Sequence, residues 1–127
     1  MADLIVKKSN IHGMGVFANR DFRKGEIVIK YNLKHLTKEE FDSLPKIEKH
    51  FTSFQEGKYW LFSSPERYVN HSCEPNVNPN FKERGDFAIR NIKKGEEIAT
   101  DYRKDDVPGL NMGCNCGSKN CKKTITN

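Results

Sequence analysis

Three of the chain's four cysteines fall within Cys114-Asn115-Cys116-Gly117-Ser118-Lys119-Asn120-Cys121. The tail around them, from Pro108 onward, is rich in Gly, Asn and Cys, so apolar burial alone does not order it. The fourth cysteine, Cys73, lies far upstream. A tetrahedral structural zinc takes four ligands, and Cys73, Cys114, Cys116 and Cys121 together supply four thiolates. The spacing favours this all-cysteine site, which would tie the tail to the Asn70–Asn76 stretch. Free thiols, or a metal held by the tail alone with water as fourth ligand, are the alternatives.

The 127 residues make one domain of common size, and with 35% hydrophobic residues the core is modest and gains from a staple. No apolar run approaches the roughly 20 residues that span a bilayer, and Met1-Ala2-Asp3-Leu4 lacks the charged and apolar regions of a signal peptide. The expected location is therefore intracellular, cytoplasmic or nuclear, with a secreted effector still open. Thiols in a reducing compartment stay free unless they bind metal or do chemistry, which favours zinc over disulfides. The net charge is +5, with acidic residues mixed among the basic ones. Lys7-Lys8, Lys93-Lys94 and Lys122-Lys123 read as solvated surface, so nucleic-acid binding is not the expected main function.

Short strands and turns dominate the pattern. Leu4-Ile5-Val6 is β-prone, and the stretch from Ile11 to Ala18 places two glycines ahead of a second apolar strand. Phe22-Arg23-Lys24-Gly25-Glu26 predicts a turn into Ile27-Val28-Ile29-Lys30-Tyr31, whose β-branched residues favour a buried strand. Thr37-Lys38-Glu39-Glu40 fits a capping box and predicts a short helix through Leu44, and Pro45 could begin another through His50. Tyr59-Trp60-Leu61-Phe62 is a further strand candidate. Asn70 to Asn80, crowded with Asn, Pro, Ser and Cys, is expected as a loop. Phe87-Ala88-Ile89-Arg90 leads to Ile92-Lys93-Lys94-Gly95-Glu96-Glu97-Ile98, which repeats the phrase begun at Phe22; two copies fall short of a repeat array. The expected fold is mainly β with short helices.

Three further motifs accompany the cysteines. In Arg67-Tyr68-Val69-Asn70-His71-Ser72-Cys73-Glu74-Pro75-Asn76, Asn70 and His71 immediately precede the presumed metal ligand, which would fix their backbone and aim their polar groups at a ligand. Gly95-Glu96-Glu97-Ile98-Ala99-Thr100-Asp101-Tyr102 ends in a tyrosine that on its own reads as packing. Gly13-Met14-Gly15 is a bare G-x-G, since Ala18 and Asn19 break the longer dinucleotide pattern. In this order, G-x-G, N-H-S-C-x-P-N, G-E-E-I-x-x-D-Y and C-x-C-G-x-x-x-C resemble the SET-domain lysine methyltransferases and the cysteine-rich post-SET segment that follows the domain in many of them. The resemblance runs from about Ile5 to Ile125 and is weaker between Lys34 and Pro65.

That resemblance implies a SET domain over residues 1–107 and a zinc-binding post-SET tail over 108–127. The implied fold is β-clip-like: small sheets, with a C-terminal pseudoknot that brings the N-H-S and D-Y segments together. By similarity, the backbone at Gly13, Met14 and Gly15 lines an S-adenosylmethionine site, and Asn70 and His71 hold the amino-acid end of the co-substrate. Asn115 lies near its adenine, and Cys73, Cys114, Cys116 and Cys121 bind a structural zinc. Tyr102 matches the family's active-site tyrosine, and Tyr31 is a second candidate for the lysine channel. The implied reaction moves a methyl group from S-adenosylmethionine to a lysine ε-amine of a protein, histone-like or otherwise basic, with no membrane partner.

The chemistry suits these residue types. Methyl transfer from a sulfonium to an amine is an in-line displacement, so alignment matters more than acid or base strength. The amine must be neutral, yet a free lysine titrates near 10.4. A narrow aromatic channel beside the sulfonium lowers that value by desolvation and like-charge repulsion, and the proton could leave to solvent. Some positions depart from the family pattern. Thr100 stands where many members carry Phe or Tyr, which suggests room for more than one methyl. Arg103 replaces a common glycine, and Tyr31 is followed by Asn32-Leu33-Lys34-His35 instead of a Gly-Glu pair. Two other readings compete: a catalytically silent SET-like module that binds peptide or cofactor, and a zinc-ribbon nucleic-acid binder, which leaves Gly13–Gly15 and Gly95–Tyr102 unexplained.

Overall fold

The β-branched and alternating runs become strands in the computed structural model of the chain, which describes residues 2–104, 108, 110–114 and 121–126. In chain order these are β1 (Leu4–Lys8), β2 (Met14–Ala18), β3 (Ile27–Lys30), β4 (Leu33–Leu36), β5 (Thr52–Gln55), β6 (Lys58–Phe62), β7 (Asn70–His71), β8 (Val77–Asn80), β9 (Gly85–Ala88), β10 (Glu97–Thr100), β11 (Asn111–Gly113) and β12 (Thr124–Thr126). Two short helices, α1 (Lys38–Asp42) and α2 (Lys46–Lys49), join β4 to β5. The Thr37 capping box forms on α1: Glu40 N donates to Thr37 Oγ1 at 3.1 Å and Thr37 N donates to Glu40 Oε1 at 3.0 Å. The second helix predicted from Pro45 forms as α2, with Pro45 at its N-cap position and no side-chain capping bond. The expected boundary at residue 107, and Asn115 and Cys116, lie outside the described residues.

The strands make three small sheets and a tail hairpin, in the orders β1-β2-β10-β7, β3-β9-β8, β4-β6-β5 and β11-β12. The decisive pairing is parallel: β10 runs beside β7, with Ala99 opposite Asn70 and Thr100 opposite His71. It sets the two motif-bearing segments side by side. The principal core lies between the first two sheets and includes Val16, Phe22, Ile29, Val77, Ile92 and Ile98, all almost fully buried.

The stretch expected as a loop, Asn70 to Asn80, instead holds two strands. Its polar residues substitute for backbone: Asn76 Nδ2 donates to Glu97 O at 2.8 Å, and Ala99 N donates to Asn76 Oδ1 at 2.9 Å, so one amide side chain completes two rungs beside β10. Pro79 is tolerated because β8 is an edge strand, where a missing N–H removes no essential ladder bond.

The two repeated sequence phrases face each other as a reciprocal clasp. Phe22 N donates to Ile92 O and Ile92 N to Phe22 O, both at 2.8 Å. Lys24 N donates to Asn91 Oδ1 at 2.9 Å, and its counterpart Lys94 N donates to Asp21 Oδ1 at 2.8 Å. Each glutamate closes its own turn, Glu26 Oε1 accepting from Arg23 N and Glu96 Oε1 from Lys93 N, both at 3.1 Å. Gly25 and Gly95 take φ of +92° and +97°, the left-handed region glycine adopts without a Cβ penalty.

The tail forms more structure than its composition suggests. Antiparallel β11 and β12 align Met112 with Ile125, and Leu110, Cys114 and Ile125 make a small second core against which Cys73, Tyr102 and Cys121 pack. Among the described residues no helix is long and apolar enough to cross a membrane.

Candidate active site

Side by side on β7 and β10, the polar residues of the two motifs lock together. Asn70 Nδ2 lies 3.0 Å from His12 O, 3.0 Å from Met14 O and 2.9 Å from Glu97 Oε2, sharing two N–H groups among three acceptors. Ser9 Oγ contacts both Glu97 carboxylate oxygens, at 2.7 and 2.8 Å, so one half-buried node ties the end of β1, the Gly13 turn, β7 and β10 together. Tyr102 N donates to His71 Nδ1 at 3.0 Å. That bond places the proton of the neutral imidazole on Nε2. Burial pushes the His71 pKa down, and Arg103 lowers it further while Asp101 opposes the shift. The Tyr102 ring stands edge-on to His71 with centroids 5.4 Å apart, and its hydroxyl donates to Val69 O at 2.6 Å.

Three cavities meet at Tyr102: one of about 240 Å³ against His71 and Cys114, and two others of unequal size. The larger, about 360 Å³, is lined by His12, Gly13, Met14, Asn70 and Met112 among others, a volume in the range of small-molecule sites. The smaller, about 30 Å³, is walled by Tyr31, Phe62, Val69, Thr100 and Tyr102. Tyr31 meets Phe62 edge-on at 5.6 Å, giving the narrow cavity its aromatic side.

Gly13 and Met14 therefore line the larger cavity, whereas Gly15 is not among its lining residues. A Cβ at Gly15 would lie 2.4 Å from Glu97 Oε2 and 2.9 Å from Ser9 Cβ, so its missing side chain makes room for the Glu97 carboxylate. Gly15→Ala is expected to displace that carboxylate, release Asn70 and cost about 1–3 kcal/mol in a urea denaturation curve.

Asp86, on β9, is fully enclosed and accepts a short hydrogen bond from the Tyr31 hydroxyl. Burial pushes its pKa up from 3.8 to about 7, a rise opposed by Tyr31 and reinforced by Glu66. Between those values the folded chain keeps a proton that the unfolded chain has released, so this group's contribution to stability falls as pH rises through that window and levels off above it. Asp86→Asn is expected to be more stable than the native chain by up to about 4 kcal/mol near neutral pH, and the gap should shrink toward pH 4 in parallel denaturation curves.

Among the described cysteines, Cys73 Sγ and Cys114 Sγ stand 4.0 Å apart and Cys121 Sγ lies 3.7 Å from Cys114 O. A disulfide requires about 2.05 Å, whereas two thiolates on one tetrahedral zinc, each about 2.3 Å from the metal, sit about 3.8 Å apart. The arrangement fits zinc. Lys122 N donates to Cys73 Sγ at 3.2 Å and His71 Nε2 lies 3.4 Å from the same sulfur. His71 also has a ring nitrogen within reach of a metal shared by Cys73 and Cys114. With Nδ1 accepting from Tyr102, however, Nε2 carries the hydrogen and faces the sulfur as a donor.

Three site residues were not singled out from sequence. Glu97 had a usable signal: Glu96 belongs to the repeated turn, which leaves the second glutamate of Gly95-Glu96-Glu97 to face inward. Asp86, a lone acid beside Phe87-Ala88-Ile89, had a weaker one, and Glu66 had none.

The sequence profile of the SET domain matches residues 13–103. The chain belongs to the SET-domain family. Curated relatives agree: the Drosophila virilis histone-lysine N-methyltransferase trithorax is 32% identical over 94% of this chain, and human histone-lysine N-methyltransferase 2B is 32% identical over the same share. Histone-lysine N-methyltransferase Su(var)3-9 of Drosophila melanogaster is 29% identical over 96% of it. The chain spans only 4%, 5% and 24% of those proteins' lengths. A crystal structure of a candidate histone methyltransferase from Plasmodium falciparum superposes with a TM-score of 0.67 at 23% identity, covering 80% of this chain and 94% of that one. The mainly β architecture with short helices is thus that of a SET domain, and its matched span holds Gly13, Asn70, His71 and Tyr102 within a single profile.

Proposed function

We propose that this chain is a protein-lysine N-methyltransferase, with S-adenosylmethionine in the larger cavity and the acceptor lysine in the narrow one. The observation that carries the reading is Tyr102, which lines both cavities. S-adenosylmethionine supplies the reaction with an electrophilic methyl group on a sulfonium. Asn70, His71 and the backbone at Gly13 and Met14 would hold its amino-acid end, with Gly15 acting through the packing of Glu97. Asn115 would lie by the adenine. The rings of Tyr31, Phe62 and Tyr102 would admit a slim aliphatic stem and exclude water. Tyr102, its hydroxyl already bonded to Val69 O, would offer oxygen lone pairs to orient that amine.

Residues 1–107 would form the SET domain and 108–127 the post-SET tail. Cys73, Cys114, Cys116 and Cys121 would hold a zinc with no open position, so its role would be structural. Thr100, in place of a larger ring, leaves space for an amine that already carries a methyl. The relatives' names point to histones, which makes a basic, intracellular protein the proposed acceptor.

The test is transfer of labelled methyl from S-adenosylmethionine to a lysate of basic proteins and to histones. Label released as methyl-lysine after acid hydrolysis supports the proposal. Co-substrate binding without label in either acceptor pool would leave a silent module as the better account.

A further inference from the structure

The narrow cavity is more than an aromatic slot, because two of the polar side chains lining it each carry a buried oxygen without a partner and a third is a buried carboxyl. Glu66, only 6% exposed, uses Oε2 to accept from Asn32 N at 2.7 Å and from Ser63 N at 3.1 Å. Its Oε1 is buried with no partner. Thr100, 3% exposed, has a buried Oγ1 that is likewise without a partner. Asp86 faces the same space with Tyr31 bonded to it. Buried oxygens left bare in this way are uncommon in native structures and point to an absent ligand that satisfies them.

The cationic groups at this cavity do not neutralise the pair. Arg67 also lines it, but its guanidinium is 2.7 Å from Glu48 and lies over the Phe51 ring at 4.5 Å. The remaining titratable neighbours are His50, Tyr31 and Tyr102. What is missing, by charge and shape, is a primary ammonium on a thin apolar stem.

We propose that Glu66 and Asp86 make the lysine channel acidic, with Glu66 Oε1 and Thr100 Oγ1 anchoring the substrate ammonium and the carboxyl pair accepting its proton before methyl transfer. The inference rests on the lysine methyltransferase reading and adds a step to it. The ammonium gives one proton to a carboxylate, forming a carboxylic acid and a neutral amine. The amine lone pair then forms the C–N bond as the C–S bond breaks; the sulfur keeps the bonding electrons and leaves as a neutral thioether, and the positive charge passes to the methylated nitrogen. The carboxylic acid returns its proton to water when product leaves. Burial raises the pKa of Asp86 to about 7, which suits a group that trades a proton near neutral pH, and burial pushes that of Glu66 in the same direction.

Methyl transfer by the full chain should be followed from about pH 6 to pH 10 for the native protein, Glu66→Gln and Asp86→Asn. The carboxamide variants are expected to lose at least about ten-fold in kcat near pH 7 and to recover toward the pH at which lysine, near 10.4, deprotonates unaided. Thr100→Val, which removes no existing hydrogen bond, is expected to raise KM for the lysine substrate about ten-fold without moving the pH profile. A uniform loss across pH in folded Glu66→Gln and Asp86→Asn, or no loss, overturns the proposal. If the native chain transfers no methyl at all, the functional reading fails separately, and the channel is judged by n-butylammonium chloride. That salt should shift the side-chain carboxyl carbon resonances of Glu66 and Asp86 where sodium chloride and n-butanol do not; equal shifts from all three overturn it.

Discussion

Tyr102→Phe is expected to slow methyl transfer by about a hundred-fold or more while leaving S-adenosylmethionine binding nearly unchanged, because in the proposed reaction the lost oxygen would align the amine and a misalignment of about 1 Å costs that much. Tyr102 lines both cavities, and its hydroxyl is fixed by a 2.6 Å bond to Val69 O. The ring is fixed by other means, through its backbone N–H to His71 and its edge contact with the imidazole, so phenylalanine keeps the wall and loses only the oxygen. Single-turnover rates and calorimetric co-substrate binding separate the two effects. A variant with native rates would remove Tyr102 from the chemistry.

Removal of the proposed zinc is the second large expected effect. Structural zinc contributes on the order of 10 kcal/mol to the folding of small sites, and here the only other tail anchors among the described residues are the short β11–β12 pairing and a few buried side chains. Chelation, or Cys73→Ser, is therefore expected to free the tail for proteolysis and to weaken S-adenosylmethionine binding at least about ten-fold, since Leu110 and Met112 line the larger cavity. The main core, built from Val16, Ile29, Ile98 and their neighbours, should still melt cooperatively. Metal content by elemental analysis, limited proteolysis and a thermal melt read the three outcomes. Full activity in a demonstrably zinc-free sample would show that the thiols do not order the site.

Much of this was legible because local rules governed it. Thr37 and Glu40 announce α1 through a capping box that needs only four consecutive residues, and the Gly25 and Gly95 turns repeat a pattern whose glycine and glutamate each have a local task. The order of four motifs carried the family. What sequence reasoning missed depended on partners distant in the chain. Asn76 bonds to the backbone of β10 only because that strand lies beside it, and a run of Asn, Ser and Pro gives no periodic sign of that. Gly15 looked like a ligand-facing glycine, yet its constraint is the Glu97 carboxylate, eighty-two positions later. Glu66 and Asp86 approach one cavity from separate elements, so neither position carried the meaning alone.

The reciprocal clasp has a mechanical corollary. Tyr31 directly follows β3 and Tyr102 lies just beyond β10, and these strands start from the two turns that borrow each other's caps. The two walls of the proposed lysine channel thus stand on one jointed base, in which Asn91 and Asp21 each hold the other frame's turn.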